Sequence, residues 1–243
     1  MQVRIGTSGW SYDHWRGAFY PPEVPKRRWL SFYAERFDTV EINATFYRLP
    51  TGGTVRGWVG AVPDRFRFAA KMSRYLTHVR RLGDTGGIDR FAAAIAGLGD
   101  RLGPVLVQLP PRFPPDPERL AAFLAAMPDR WQVGVEFRDP RWFDDDVRTV
   151  LEAHGAALVW SDHPGSDSPR WQTAPFVYVR RHGTTGRFAG RYGPRLIELA
   201  HALVDARADA WCYFNNDLDA AAPRDAAELV RLVEEIRPDA MPT

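Results

Sequence analysis

Short β-rich runs alternate with stretches of helical period from one end of the chain to the other. Val3–Thr7, Thr39–Asn43, Phe66–Lys71, Val105–Leu109, Gln132–Phe137, Ala157–Asp162, Phe176–Arg181 and Ala210–Phe214 predict strands. Between them, apolar residues recur at three- and four-residue spacing over Trp29–Arg36, Ile88–Leu98, Pro117–Met127, Val147–His154, Pro194–Ala206 and Pro223–Ile236, which predicts amphipathic helices. Pro117, Pro194 and Pro223 open three of these helices, where a missing amide donor costs least. Eight strands alternating with helices predict an α/β fold: a single (β/α)8 TIM-type barrel over residues 1–243.

Barrel strands send alternate side chains to the helix-covered outside and to the interior. Val40 and Ile42, Phe66, Phe68 and Ala70, Val105 and Val107, Val133 and Val135, Val177 and Val179, and Cys212 and Phe214 form apolar sets suited to helix packing. The opposite parity aims polar residues at one mouth, the C-terminal ends of the strands: Ser8, Glu41, Asn43, Lys71, Gln108, Glu136, Asp162, Arg180, His182 and Asn215. Barrel enzymes carry their chemistry at this rim. The structural alternative is an ion-pair plug of Glu41, Glu136 and Asp162 against Lys71, Arg138 and Arg180.

A net charge of +2 is too mild to require a nucleic-acid partner and allows only a weak bias toward anions. Cys212 is the one cysteine and lies in an apolar run, so it reads as a small core residue rather than a nucleophile. No signal-like leader and no apolar run of about 20 residues is visible, so a cytoplasmic location without membrane attachment is expected. Only Lys26 and Lys71 among the 32 basic residues are lysine, which makes a lysine at a strand end noticeable.

The first rim loop is dense in aromatics (Trp10, Tyr12, Trp15, Phe19, Tyr20), and Phe46, Tyr47 and Trp142 lie in others. Such faces stack on a sugar or base, or simply cap the barrel. The loop Gly183–Gly193, with Gly183, Gly186, Arg187, Gly190 and Arg191, follows the seventh strand, a place where barrels often bind phosphate. His14, His78, His163 and His182 also follow strands, yet no HxH, HxE or HExxH spacing supports a metal site. No cofactor motif is present, and a divalent metal is a minor alternative.

The strand-end motifs resemble those of the YecE-like family, a domain of unknown function. They are Gly6-Thr7-Ser8-Gly9-Trp10-Ser11-Tyr12, Val40-Glu41-Ile42-Asn43 with Thr45-Phe46-Tyr47, Lys71 with Thr77-His78, Gln108-Leu109-Pro110-Pro111, Val135-Glu136-Phe137-Arg138, Tyr178-Val179-Arg180 with His182-Gly183, and Phe214-Asn215-Asn216. The resemblance implies a TIM-type barrel and supplies no reaction. Ala44 stands where serine is expected, and Arg181 where an apolar residue is usual. Arg181 is expected to pair with an acidic residue on a neighbouring helix.

Glu41, Lys71, Glu136, Asp162 and His182 are therefore the candidate catalytic residues. Ser8, Trp10, Tyr12, Asn43, Tyr47, Gln108, Arg138, Arg180, Asn215 and Asn216 are the candidate ligand contacts. The leading expectation is an enzyme acting on a phosphate- or sugar-bearing small molecule, with Glu41 or Glu136 as acid or base and Lys71, Arg180 and His182 holding negative charge. A Schiff base on Lys71 is an alternative use of that amine. Glycoside hydrolysis by the Glu41–Glu136 pair is a variant. The other classes are a nucleic-acid-binding or metal-dependent nuclease-like barrel and a non-catalytic binding or scaffold barrel, the last requiring rim carboxylates fully paired to arginine.

Overall fold

The two side-chain sets read from the strands separate in space. A computed structural model describes residues 1–186 and 188–237. Its strands are β1 (Val3–Thr7), β2 (Thr39–Ile42), β3 (Arg67–Lys71), β4 (Leu102–Gln108), β5 (Val133–Glu136), β6 (Ala157–Ser161), β7 (Phe176–Arg181) and β8 (Asp209–Phe214). They pair in parallel in the order β1-β8-β7-β6-β5-β4-β3-β2. Outside lie α1 (Trp29–Ala34), α2 (Ala44–Tyr47), α3 (Gly52–Gly60), α4 (Gly86–Ile95), α5 (Pro117–Ala125), α6 (Asp145–Ala153), α7 (Arg195–Asp205) and α8 (Ala221–Ile236).

Val40, Phe68, Val107, Val135, Val179, Cys212 and their parity mates join one continuous core between strands and helices. Ala69, Leu106, Ala157, Val159, Phe176, Tyr178, Trp211 and Tyr213 form a second, smaller core inside the ring. Burial in the outer core pushes the Cys212 thiol up to about 12, which keeps it protonated and inert.

The ring closes between β1 and β2 by one backbone bridge, Ser8 to Glu41, where Gly9 N donates to the Glu41 carbonyl at 2.8 Å. Below that bridge a side chain replaces the ladder. The Tyr33 hydroxyl from α1 accepts from Thr7 N at 2.8 Å and donates to the Thr39 carbonyl at 3.1 Å. Gly6 makes this insertion possible, because a Cβ there would lie 2.2 Å from the Thr39 oxygen and 2.9 Å from the Tyr33 hydroxyl.

Four details depart from the pattern read along the chain. The four glycines of α3 hide a helix that Thr51 caps by accepting from Thr54 N at 3.2 Å and that Val55 anchors. Among the described residues no helix lies between β6 and β7. The segment 162–175 returns along β6 instead, where Thr173 Oγ1 accepts from Leu158 N and donates to the Ala156 carbonyl. Pro117 does open α5, but Pro194 precedes α7 and Pro223 sits one step inside the first turn of α8. A π-helical turn, Tyr75–Val79, follows β3, a rare form that is frequent at functional sites.

Candidate functional site

Inward parity at the last positions of the strands brings Ser8, Glu41, Glu136 and Arg180 into one buried cluster, each at most 1% exposed. Arg180 from β7 lies between the two carboxylates: Nη2 donates to Glu41 Oε1 at 2.8 Å and Nη1 to Glu136 Oε2 at 2.5 Å. Glu41 also accepts from the Ser8 hydroxyl and from the Tyr178 hydroxyl, the latter at 2.7 Å. Glu136 Oε1 accepts from Ser161 Oγ at 2.8 Å and pairs with Arg138 Nη2 at 2.8 Å. Burial alone would raise the Glu136 carboxyl, but Arg138, Arg180 and His182 together hold it well below the usual carboxylate range.

His182 packs beside this cluster with no exposed surface. Its Nε2 faces Glu136 Oε1 at 2.9 Å, and its Nδ1 faces the Asn215 amide nitrogen at 3.1 Å. Arg138 Nη2 also approaches Nε2, at 3.2 Å, so this ring nitrogen sits between a carboxylate that only accepts and a guanidinium that only donates. Burial drives the imidazolium down to about 3 despite the opposing pull of Glu136.

Above the carboxylates the cations open to solvent. Two cavities of about 500 and 320 Å³ share Tyr47, Lys71, Arg180, Phe188 and Asn215 in their walls, so they are lobes of one site. Trp10, Tyr12, Asn43 and Trp58 line the larger lobe, and Gln108, Arg138, His78 and His163 the smaller. Trp10 meets Trp58 edge-on at 5.9 Å, and Tyr47 stands 79% exposed between the lobes. Asn43 Oδ1 and Arg180 Nε are buried here without a hydrogen-bond partner among the described residues.

Lys71, the last residue of β3, extends into both lobes. Its ammonium donates to Gln108 Oε1 at 2.8 Å and lies 4.4 Å from the centre of the Phe46 ring. Among the described residues it makes no ion pair with a carboxylate within 4.0 Å. Burial and then the neighbouring Arg180 push it down to about 7, against the pull of Glu41 and Glu136. His78, hydrogen-bonded to Thr77 Oγ1 at 2.9 Å, is pushed down to about 4 by burial and by Lys71.

Three expected site residues lie elsewhere. Asp162 is not part of the inward ring, because alternation from Val159 puts Ser161 there and turns Asp162 outward. It accepts from His182 N at 2.7 Å and from the Tyr192 hydroxyl at 2.5 Å. Asn216 faces α8, donating to Asp225 Oδ2 at 2.8 Å and to the Gly190 carbonyl at 2.9 Å. Arg191 likewise turns to α8, bonding Asp225 and Glu228 at 2.9 Å each. Arg187 of that loop lies outside the described residues. Among the described residues no group of three or more His, Cys, Asp or Glu side chains could hold a metal ion.

A family model described as protein of unknown function DUF72 matches residues 4–243. The chain belongs to the DUF72 family. Within it, the UPF0759 protein YecE of Escherichia coli K12 is 31% identical over 213 residues, covering 84% of this chain and 71% of that protein. A crystal structure of a DUF72 protein from Thermotoga maritima superposes with a TM-score of 0.86 at 25% identity, covering 96% of this chain and 100% of that one. Another from Enterococcus faecalis gives 0.81 at 21% identity, covering 99% and 97%.

Ser161, Tyr178, Trp58 and Phe188 complete this DUF72 site and were absent from the candidates read along the chain. The parity rule finds Ser161 and Tyr178 once β6 and β7 are followed to their ends. Trp58 escaped because its helix was not predicted. Arg181 of this DUF72 chain meets no helix acid; its Nη1 lies 3.7 Å from Asp162 Oδ2, beyond β6. No helix among the described residues is long and apolar enough to cross a membrane.

Proposed function

We propose that the rim pocket binds a small anionic molecule, such as a phosphate ester, and acts on it by acid–base chemistry with the Lys71 amine as the titrating group. One observation carries this reading: a half-buried lysine ammonium with no carboxylate partner among the described residues, in a cavity wall that also holds Arg138 and Arg180. Such a charge is costly to the fold unless a ligand answers it. Asp217 lines the larger lobe, but the smaller lobe is walled by Lys71, Arg138 and Arg180 with no carboxylate among the described lining residues, and His182 is neutral, so the smaller lobe favours an anion.

The carboxylates take a different part from the one expected of them. Glu41 and Glu136 have no exposed surface, and their oxygens are occupied by Ser8, Tyr178, Arg180, Ser161, His182 and Arg138. They hold the cations in place, and a glycosidase pair with a free face toward substrate does not fit this arrangement. The same pairing also suits a barrel that is purely a scaffold, which expects no ligand at this site.

Calorimetric titration with inorganic sulfate separates the two. Sulfate is expected to bind the wild-type protein, with affinity falling as pH rises through about 7 and Lys71 loses its proton. Lys71→Met is expected to bind it roughly tenfold less tightly, the scale of one charge-assisted contact, while the thermal midpoint rises because a buried charge is gone. No binding to wild type, or equal binding to the variant, would remove the anion reading.

A further inference from the structure

The cavity poses a question that anion binding alone leaves open: why the strand-3 cation is a lysine in a chain that uses arginine at nearly every other basic position. An arginine would hold the anion with more donors and would never lose its charge. A lysine supplies what arginine lacks, an amine with a free lone pair. Lys71 Nζ stands where both lobes meet, and its hydrogen-bond partner is an amide oxygen rather than a carboxylate. The Phe46 ring closes one side. Arg138 and Arg180 supply fixed positive charge next to it, and neither can take its place as a nucleophile.

We propose that Lys71 forms a Schiff base with an anionic aldehyde or ketone, the anionic group lying against Arg138. This rests on the anion reading above and names the substrate class for it. The Nζ lone pair attacks the carbonyl carbon, the carbon–oxygen π pair moves to oxygen, and that oxygen takes a proton. The carbinolamine then loses its oxygen as water and its nitrogen proton, leaving C=N; amine plus carbonyl gives imine plus water, with no redox change. Protonated, the imine restores the positive charge that the ligand's anion faces. Burial helps at the first step, since an amine near 7 is about half unprotonated at neutral pH, against roughly one part in three thousand for an ordinary lysine.

The composition makes the test clean. Lys26 is the other lysine; it is exposed and paired to Asp13 at 2.6 Å, and the remaining amine is that of Met1. The intact protein is treated at pH 7 with cyanoborohydride and either glycolaldehyde phosphate or glycolaldehyde, and the reduced adducts are located by peptide mass mapping. Lys71 is expected to be labelled at least about tenfold faster than Lys26 by the phosphorylated aldehyde, and slower in the presence of sulfate. Lys26 and the amino terminus should treat the two aldehydes alike. Gln108→Glu, which puts a carboxylate on the amine, is expected to slow Lys71 labelling about tenfold at pH 7 and to recover it at pH 9. Lys71 labelled no faster than Lys26, or without preference for the phosphorylated aldehyde, overturns the proposal. If sulfate still binds, the anion site stands without the imine; if sulfate binding fails too, both readings fall together.

Discussion

Arg180→Met is expected to destabilise the fold by about 3–5 kcal/mol, the cost of leaving buried carboxylates without their shared cation. Urea unfolding at pH 7 measures it. The guanidinium is 1% exposed and contacts both Glu41 and Glu136, neither of which has any exposed surface. Neither carboxylate has exposed surface at which water already compensates its charge. The effect carries a pH signature with a definite sign. In the wild type, Glu136 is held well below its ordinary value of 4.5, so its contribution is present above that value and is lost as pH falls through the lower folded one. Without Arg180, burial favours protonated carboxyls, so the variant recovers stability on acidification while the wild type loses it. The gap between the two is expected to narrow as pH falls from 7 toward 4. A gap that stays constant would mean that Arg180 acts through packing and not through its charge.

The second large effect belongs to the seam between β1 and β2. Gly6→Ala is expected to cost about 2–4 kcal/mol, because the new methyl group overlaps the Thr39 carbonyl and the Tyr33 hydroxyl together. Neither is the flexible end of a side chain with somewhere to go: one is backbone, and the other is hydrogen-bonded on both sides. Chemical unfolding gives the magnitude. Amide exchange gives the location, since Thr7 N–H donates to that hydroxyl and should exchange faster in the variant. Gly57→Ala is a fitting control, because a Cβ there meets nothing within 4 Å. A seam variant as stable as this control would show that the strands can separate at no cost.

The barrel was legible because its signal is repeated. Each strand carries the same two-residue alternation, and the outer sets read from Val40, Phe68, Val107, Val135 and Val179 all reach the outer core. Parity also located the rim, since Glu41, Lys71, Glu136 and Arg180 converge as alternation requires. What failed did so for local reasons. Asp162 has the outward parity, because Ala157, Val159 and Ser161 are the inward set of β6. The helix carrying Trp58 was lost among glycines that a cap and one buried valine suffice to overcome. Asn216 sits next to a site residue in the chain, but beyond a strand end adjacency no longer says which way a side chain turns.

Roles were harder to read than positions. A glutamate at a barrel mouth looks like an acid or base until its partners are counted, and those partners come from β1, β6 and β7, far apart in sequence. The Lys71 environment is equally invisible along the chain, because it depends on which cations fold back beside it.

The Arg180 clamp also bears on the order in which this chain is made. During synthesis Glu41 and Glu136 leave the ribosome well before the one guanidinium that bridges them. Until β7 emerges, drawing those carboxylates out of water would cost several kcal/mol each. The nascent chain thus has a reason to keep its mouth hydrated, and its early strands short of the finished ring, until about three-quarters of the way along. Charge placement here acts as a clock: it defers the last stage of folding to the moment when the chain can complete it.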